Sequence, residues 1–410
     1  MNKKIHILLI HQAFTGLNEP GGTRHYEFAR ALAARGHRVT VIASGMSYLT
    51  GKPRTEDDQI VRGLRILRAT TLGGLHRSFF HRLVNFISFT LSSLVIGIRV
   101  KDLDIVWGTS PPLFQAISAW AVAKTKRIPF VLEVRDLWPD FAVAVGVLRN
   151  GLLIRASRGL ERFLYQKANQ VIVNSPGFIA HIKENGGTHI HVIPNGSDPA
   201  MFHAQTDGTV FRKSHRLEDK FVVLYAGAHG LSNDLDVVLD AAQILKRVEN
   251  IRIVLLGDGK EKPRLQARAA ELNLWNVRFV QPLPKDEMST ALTAADVCLA
   301  ILKPTPFLAT VYPNKVFDYM AAGRPVLLAI DGVIRKLVEE TGAGVFVEPG
   351  HPEALADAIK KLAKLPQQNR TMGKAGQAMV EKQFNRSKLT DQMEEILVEA
   401  GMATGDPESI

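Results

Sequence analysis

One cysteine in 410 residues, Cys298, leaves no partner for an intramolecular disulfide and fits a reducing compartment. No Cys/His cluster has zinc spacing, and no interleaving of aromatic and basic residues resembles a nucleic-acid module. No uninterrupted apolar run reaches about 18 residues, which argues against a conventional transmembrane helix. The six mainly apolar residues 5–10 after Lys3 and Lys4 are too few for the hydrophobic region of a secretory signal, and read as a first buried strand. Low-complexity tracts and repeats at solenoid periods are also missing.

What is present is ordinary for a globular protein, with 46% apolar and 22% charged residues. The chain is too long for one core and implies two domains of about 200 residues each. The net charge of +11 asks for an anionic partner: nucleic acid, anionic lipid or a phosphorylated substrate. Residues 76–101, HRSFFHRLVNFISFTLSSLVIGIRVK, set Arg77, Arg82, Arg99 and Lys101 around an apolar band. That pattern reads as an interfacial helix facing anionic lipid, and equally as a core helix with solvated ends. Nucleic acid is the weaker partner.

Short apolar runs at 5–10, 39–43, 105–107, 130–134, 171–173 and 191–193 alternate with helical segments, and the theme repeats at 221–225, 251–256, 277–280, 297–302 and 325–329. Strands separated by helices in this order predict parallel sheets covered on both faces, hence two doubly wound Rossmann-like α/β domains. In the helix over 23–35, Phe28, Ala29, Leu32 and Ala33 share one side, and Gly36 stops it. The expected divisions are an N-terminal domain over 1–196, a linker over 197–219, a C-terminal domain over 220–384, and a final helix over 385–410 packing back on the first domain.

Ligands of such sheets collect beyond the carboxyl ends of the strands. In PNKVFDYMAAGRPV, from Pro313, a helix start aims Asn314, the Lys315 ammonium and backbone N–H groups at an anion, and Asp318 one turn later suits a ribose diol. Its plain alternative is an amphipathic helix with a solvated Asp318. Gly227-Ala228-His229-Gly230 and Gly257-Asp258-Gly259-Lys260 follow strands and would converge with Lys315 on one pyrophosphate. Neither matches the dinucleotide or P-loop glycine patterns. Gly21 and Gly22 precede the first helix, where backbone can approach a phosphate or sugar, although Gly-Gly is also a common turn. Glu133, Arg135 and Asp136 end a strand, either exposed in a cleft or paired with each other to fix a loop. Asp102-Leu103-Asp104 and Asp234-Leu235-Asp236 read as capping residues rather than metal ligands, and His25 and the other histidines as surface or packing residues.

Taken in order, Pro20-Gly21-Gly22, EVRDLWPD from Glu133, VNSPG from Val173, VIPNGSD from Val192, LYAGAHG from Leu224, LLGDGKEK from Leu255 and PNKVFDYMAAGRPV resemble the family 4 glycosyltransferases of the GT-B fold over nearly the whole chain. The branch they resemble builds bacterial surface polysaccharides, O-antigen and capsule among them, and includes proteins said to transfer acetamido-deoxy sugars such as L-fucosamine derivatives. The resemblance implies two Rossmann-like domains facing a central cleft. It implies a retaining, metal-independent, cofactor-free transfer from a nucleotide sugar, by the branch a UDP-sugar, to a polyprenyl-diphosphate-linked glycan. The enzyme would sit in the cytoplasm, peripheral on the inner face of the plasma membrane. Carried over, Glu133, Arg135 and Asp136 become catalytic, and Gly21 and Gly22 bind the acceptor. Gly227, His229, Gly230, Gly257, Lys260, Lys262, Thr310, Asn314, Lys315 and Asp318 bind the donor.

The chain departs from that pattern at three places. Thr310 stands where the first carboxylate of the family's Glu-x7-Glu motif would be, Arg135-Asp136 replaces His-Asp, and the Gly227 loop lacks the usual arginine, for which Lys260, Lys262 or Lys315 could substitute. A nucleotide-sugar epimerase on the same fold and a non-catalytic nucleotide-sugar-binding or membrane-scaffold protein are the competing functions.

Overall fold

The structure, a computed structural model, describes residues 3–17, 22–46, 63–72, 79–144, 146–202 and 206–402. The chain forms two compact units, Met1–Pro194 with Leu389–Ile410, and Asn195–Lys388.

The first unit is built on a seven-stranded parallel sheet, β1 (His6–Ile10), β2 (Arg38–Ser44), β3 (Leu64–Ala69), β4 (Ile105–Ser110), β5 (Phe130–Val134), β6 (Gln170–Val173) and β7 (Ile190–Val192), in the order β3-β2-β1-β4-β5-β6-β7. Helices cover both faces, so the central strands are mostly apolar and buried throughout, with His6 in β1 and Glu133 in β5 as polar exceptions. His6, in β1, is tolerated because its Nδ1 donates to the Asp102 carbonyl and its Nε2 accepts from Thr40. The order reverses between β1 and β4, which puts the ligand crevice of such a sheet beyond Ile10 and Ser110.

Helix α1 (Arg24–Ala34) buries Phe28, Ala29, Leu32 and Ala33 against the sheet. The C-terminal helix Arg386–Met402 adds Leu389, Met393, Ile396 and Leu397 to the same cluster, and its Glu394 accepts from Arg35 and bonds His37.

Helices α2 (Phe79–Arg99), α3 (Leu113–Lys126), α4 (Asp140–Ala144) and α5 (Gly151–Lys167) follow. The buried side of α2 is Asn85, Phe89, Ser93 and Gly97, spaced by four. Small residues let α2 and α3 approach closely: Ser93 donates to Ser118, and a Cβ on Gly97 would lie 2.7 Å from Val122. Phe86 stacks on Phe114 of α3, and Trp120 of α3 meets Phe163 of α5 edge-on, so the three helices form one layer. The span Phe80–Arg99 is long and apolar enough to cross a membrane. Its outward stripe, Phe80, Ile87, Leu91, Val95 and Ile98, is apolar and exposed.

The second unit has a six-stranded parallel sheet, β8 (Phe221–Ala226), β9 (Ile251–Leu256), β10 (Val277–Val280), β11 (Val297–Ile301), β12 (Val326–Ala329) and β13 (Gly344–Phe346), in the order β10-β9-β8-β11-β12-β13. Its switch point lies between β8 and β11. Residues 197–219, expected to be a linker, instead carry the helix Thr209–Ser214 and put Phe202, Phe211 and Leu217 into the core of this unit. Those three widely spaced apolar residues show no period; their burial, with Arg212 donating to the Ala294 carbonyl and to Asp296, ties the segment to this unit.

Candidate functional site

In the second unit, the loop after β8 and the loop after β9 lie directly on each other. A Cβ on Gly257 would sit 1.9 Å from the Gly227 carbonyl oxygen, and one on Gly259 would sit 2.3 Å from that of His229. Only glycine permits this contact, and Gly227 itself takes φ +150. Asp258 O accepts from His229 N, and His229 O accepts from Glu261 N, so the loops brace each other.

Against this pair rests the helix Asn314–Ala321. Tyr319, one of its buried residues, has its hydroxyl at the end of β8, where it accepts from Ala226 N at 2.9 Å. This anchor brings Lys315 over the Tyr225 ring, its ammonium 3.9 Å from the ring centre and 2.9 Å from where a Gly227 side chain would begin. The Lys315 nitrogen is buried and has no hydrogen-bond acceptor. Burial lowers its pKa to about 7.

His229 is fully buried between Tyr225 and Phe279, with neither ring nitrogen bonded to protein. Burial, followed by Lys262, lowers its pKa to about 4, so the ring is neutral. An unpaired buried ammonium and an unpaired buried imidazole at a switch point are costly unless a ligand completes them. The two glycine loops and the Lys315 helix thus converge as the sequence predicts.

Other expected donor residues divide. Lys260, Gly230 and Asn314 border the loops, with Lys260 and Asn314 exposed. Lys262 does not face a ligand: it is buried, and its ammonium donates to the Gly257 carbonyl at 2.7 Å and to Gln281 at 3.2 Å, tying the ends of β9 and β10. Thr310 ends a short turn, its hydroxyl donating to the Phe307 carbonyl. Asp318 is half-buried and accepts from Ser197 and Lys285, neither of which the sequence reading singled out.

In the first unit, Glu133 is fully buried inside β5 and engaged by three groups. Arg24 Nε donates to it at 2.7 Å, His25 Nε2 at 2.9 Å and Trp107 Nε1 at 3.0 Å. Burial alone would raise its pKa; His25 and Arg24 outweigh that and hold it below the ordinary carboxylate range. Glu133 is therefore neither exposed nor paired with Arg135, as the sequence led one to expect, but buried and bonded to Arg24, His25 and Trp107. Its side chain lies in the layer under α1, where the first turn of that helix delivers Arg24 and His25. Burial lowers the His25 pKa to about 4, and its ring lies 4.0 Å from that of His11, at the end of β1. His25 is thus a partner of Glu133 rather than a surface histidine.

Arg135 holds the loop by donating to the Pro111 carbonyl at 2.8 Å. Asp136, next to it past the end of β5, is half-buried, and burial pushes its pKa up to about 6. Gly22 is exposed with open space around it, and Gly21 and Arg77 lie outside the described residues. Among the described residues no group of three His, Cys, Asp or Glu side chains could hold a metal ion. Asp236 instead pairs with Arg264 and Arg268, and Asp104 accepts from the His6 amide.

Two family models match this chain: "Glycosyl transferase 4-like domain" over residues 21–196, and "Glycosyl transferases group 1" over residues 207–379. Among curated relatives, the "Probable glycosyltransferase WbjE" of Pseudomonas aeruginosa is 27% identical over 67% of this chain and 70% of its own. The "Putative colanic acid biosynthesis glycosyl transferase WcaI" of Escherichia coli K12 is 26% identical over 84% and 88%. Similar solved structures include Anabaena HepE in complex with UDP, with a TM-score of 0.74 and 18% identity over 96% of this chain and all of that one. Sucrose-phosphate synthase of Thermosynechococcus elongatus gives a TM-score of 0.79 at 20% identity over 98% and 100%. WaaG, a glycosyltransferase involved in lipopolysaccharide biosynthesis, gives 0.70 at 15% identity over 95% and 99%. These structural likenesses establish the fold.

Proposed function

Because this chain is a glycosyltransferase of the GT-B fold, a 4-like domain followed by a group 1 domain, we propose that it moves a sugar from a UDP-sugar to a lipid-linked glycan in bacterial surface-polysaccharide synthesis. The observation that carries this reading is the buried Lys315 ammonium without an acceptor, facing two interlocked glycine loops at a sheet switch point. A diphosphate is the group that completes it, with the N–H groups at the start of the Asn314 helix and the exposed Lys260 adding positive charge. Asp318 takes the ribose hydroxyls. UDP in the HepE complex and the colanic acid and lipopolysaccharide roles in the names of WcaI and WaaG support the donor and pathway class.

In the proposed reaction the bond from the sugar's anomeric carbon to the diphosphate oxygen breaks, and its electrons stay on the diphosphate. Lys315 and the loop backbone stabilise that charge without a metal. An acceptor hydroxyl bonds to the same face of the sugar and passes its proton to the departing phosphate, so configuration is retained. An N-acetylated deoxyhexose is the proposed sugar, on the subfamily motifs alone. Arg135 and Asp136 serve the acceptor side.

The acceptor reading draws on α2, whose outward stripe of Phe80, Ile87, Leu91, Val95 and Ile98 is suited to the interface of an anionic bilayer, with Arg82 and Arg99 at its ends. The test is transfer from UDP-acetamido sugars to a polyprenyl-diphosphate glycan in the presence of EDTA. Product with retained configuration supports the proposal. Turnover of the donor alone would favour an epimerase, and tight binding without turnover a scaffold.

A further inference from the structure

Helix α5 carries exposed apolar residues that the packing of its own unit does not use. Leu152 is 76% exposed, the highest value among the large apolar side chains of the described residues, and Leu153 and Val147 beside it are 42% and 50% exposed. They are held in place: the Asn150 side chain caps the helix by accepting from the amides of both Leu152 and Leu153, and Leu148 is buried just before it. Along the helix Leu152, Ala156, Gly159 and Phe163 follow one strip, spaced four, three and four, with Arg155 and Arg162 on its flank.

The charge of this region is one-sided. Arg149, Arg155, Arg158 and Arg162 are all exposed, and only Arg158 forms an ion pair, with Asp140. Between Asp140 and Glu184 the sole acid is Glu161, which is buried and bonded to Tyr165 and His181. Exposed leucines flanked in sequence by Arg149, Arg155 and Arg162, none of which pairs with an acid among the described residues, complement an anionic lipid surface: the leucines enter the interface while guanidiniums stay at headgroup level.

We propose that the start of α5 is a second lipid contact, distinct from α2, so that the layer α2, α3 and α5 docks as one face on an anionic bilayer. Trp120 of α3 joins the two, meeting Phe163 of α5 edge-on while Lys124 lies over its ring. The α5 contact lies past the carboxyl end of β5, by the loop of Asp136, so it holds the crevice end of this unit's sheet toward the lipid. This rests on the reading of α2 as a membrane contact, and it adds orientation: one helix alone leaves the unit free to roll about its axis.

The experiment is co-sedimentation of the full chain with phosphatidylcholine vesicles, with and without phosphatidylglycerol, comparing wild type, Leu152→Ser/Leu153→Ser, Arg155→Glu/Arg162→Glu and Leu91→Ser/Val95→Ser. The two α5 variants are expected to lose about tenfold or more in partition to the anionic vesicles, because each withdrawn leucine forfeits its transfer into lipid and each reversed arginine its attraction. Their circular dichroism should match wild type, since the altered residues are exposed. If wild type and the Leu91 variant differ while both α5 variants bind like wild type, α2 stands and the α5 contact is overturned. If wild type itself ignores anionic vesicles, the α2 reading falls with it. Concentration-dependent dimers in lipid-free buffer that the Leu152 variant abolishes, with vesicle binding intact, would assign the patch to a second copy and also overturn the proposal.

Discussion

Lys285 Nζ lies 2.5 Å from Asp318 Oδ2, and the Ser197 hydroxyl donates to the other oxygen at 2.9 Å. The carboxylate assigned to the ribose is thus already held in position by residues 33 and 121 positions away, rather than merely solvated. A carboxylate accepts about four hydrogen bonds, so two directions remain for a diol. Asp318→Ala should weaken UDP binding by at least about tenfold and, by leaving Lys285 half-buried and unpaired, cost roughly 1–3 kcal/mol of stability. Calorimetry and a thermal melt check both. Wild-type affinity would remove Asp318 from the site.

With Lys315 in its proposed role, nucleotide binding is expected to depend on pH. Burial takes its pKa from 10.5 to about 7, so between those values the unfolded chain holds a proton that the folded chain does not. Its contribution to stability is therefore complete above 10.5 and is lost as pH falls to about 7. The diphosphate acts in the opposite sense, since it favours the charged ammonium: affinity is expected to fall by up to about tenfold per pH unit above pH 7, with proton uptake on binding. Titrations near pH 8 in buffers of different ionisation enthalpy measure that uptake, and Lys315→Met should abolish it. A pH-independent wild-type affinity would show that Lys315 does not meet the phosphates.

Glu133 and Asp136, three residues apart, should respond oppositely to removal of their charge. Glu133→Gln leaves Arg24 buried beside a neutral group and is expected to cost roughly 3–5 kcal/mol, read as a lowered Tm. Asp136 has a pKa raised to about 6, so the folded chain holds its proton more tightly and stability falls as pH rises from 3.8 to about 6. Asp136→Asn should therefore raise Tm at neutral pH while lowering turnover. A Tm loss for Asp136→Asn like that for Glu133→Gln would make both residues structural.

Gly257→Ala tests the interlocked loops. Its methyl group would enter the Gly227 carbonyl, so the loops must separate, and UDP affinity should drop by at least about tenfold together with Tm. Gly342→Ala is the comparison. That residue also has positive φ, but open space surrounds it, and its substitution should affect stability without affecting UDP.

The central strands were legible because parallel sheets buried on both faces need apolar runs, as in residues 7–10 and 253–256. Of the edge strands, β7 and β10 were legible, as 191–193 and 277–280, whereas β3 and β13 were not. β3, LRILRA, has its apolar residues interrupted by Arg65 and Arg68 and buries only Leu64 and Ala69, and β13 is three residues long. The glycine loops and Lys315 were legible because glycine before a helix and lysine at a helix start have few other uses together. The partners of each carboxylate were hidden: Glu133 meets His25 across 108 residues, and nothing local marks the contact. The same holds for Lys285, which reads as an ordinary residue of a short turn. Lys262 misled because a lysine after a glycine loop serves equally to bond carbonyl groups of that loop.

The most direct test of the account is calorimetric titration of UDP, GDP and ADP into the wild-type and Lys315→Met proteins with EDTA present. Binding of UDP in preference to the other two is expected without a divalent metal, weakened by at least about tenfold in the variant. Equal UDP affinity in both proteins, or binding that disappears with EDTA, would contradict the assignment of Lys315 as the charge that holds the diphosphate.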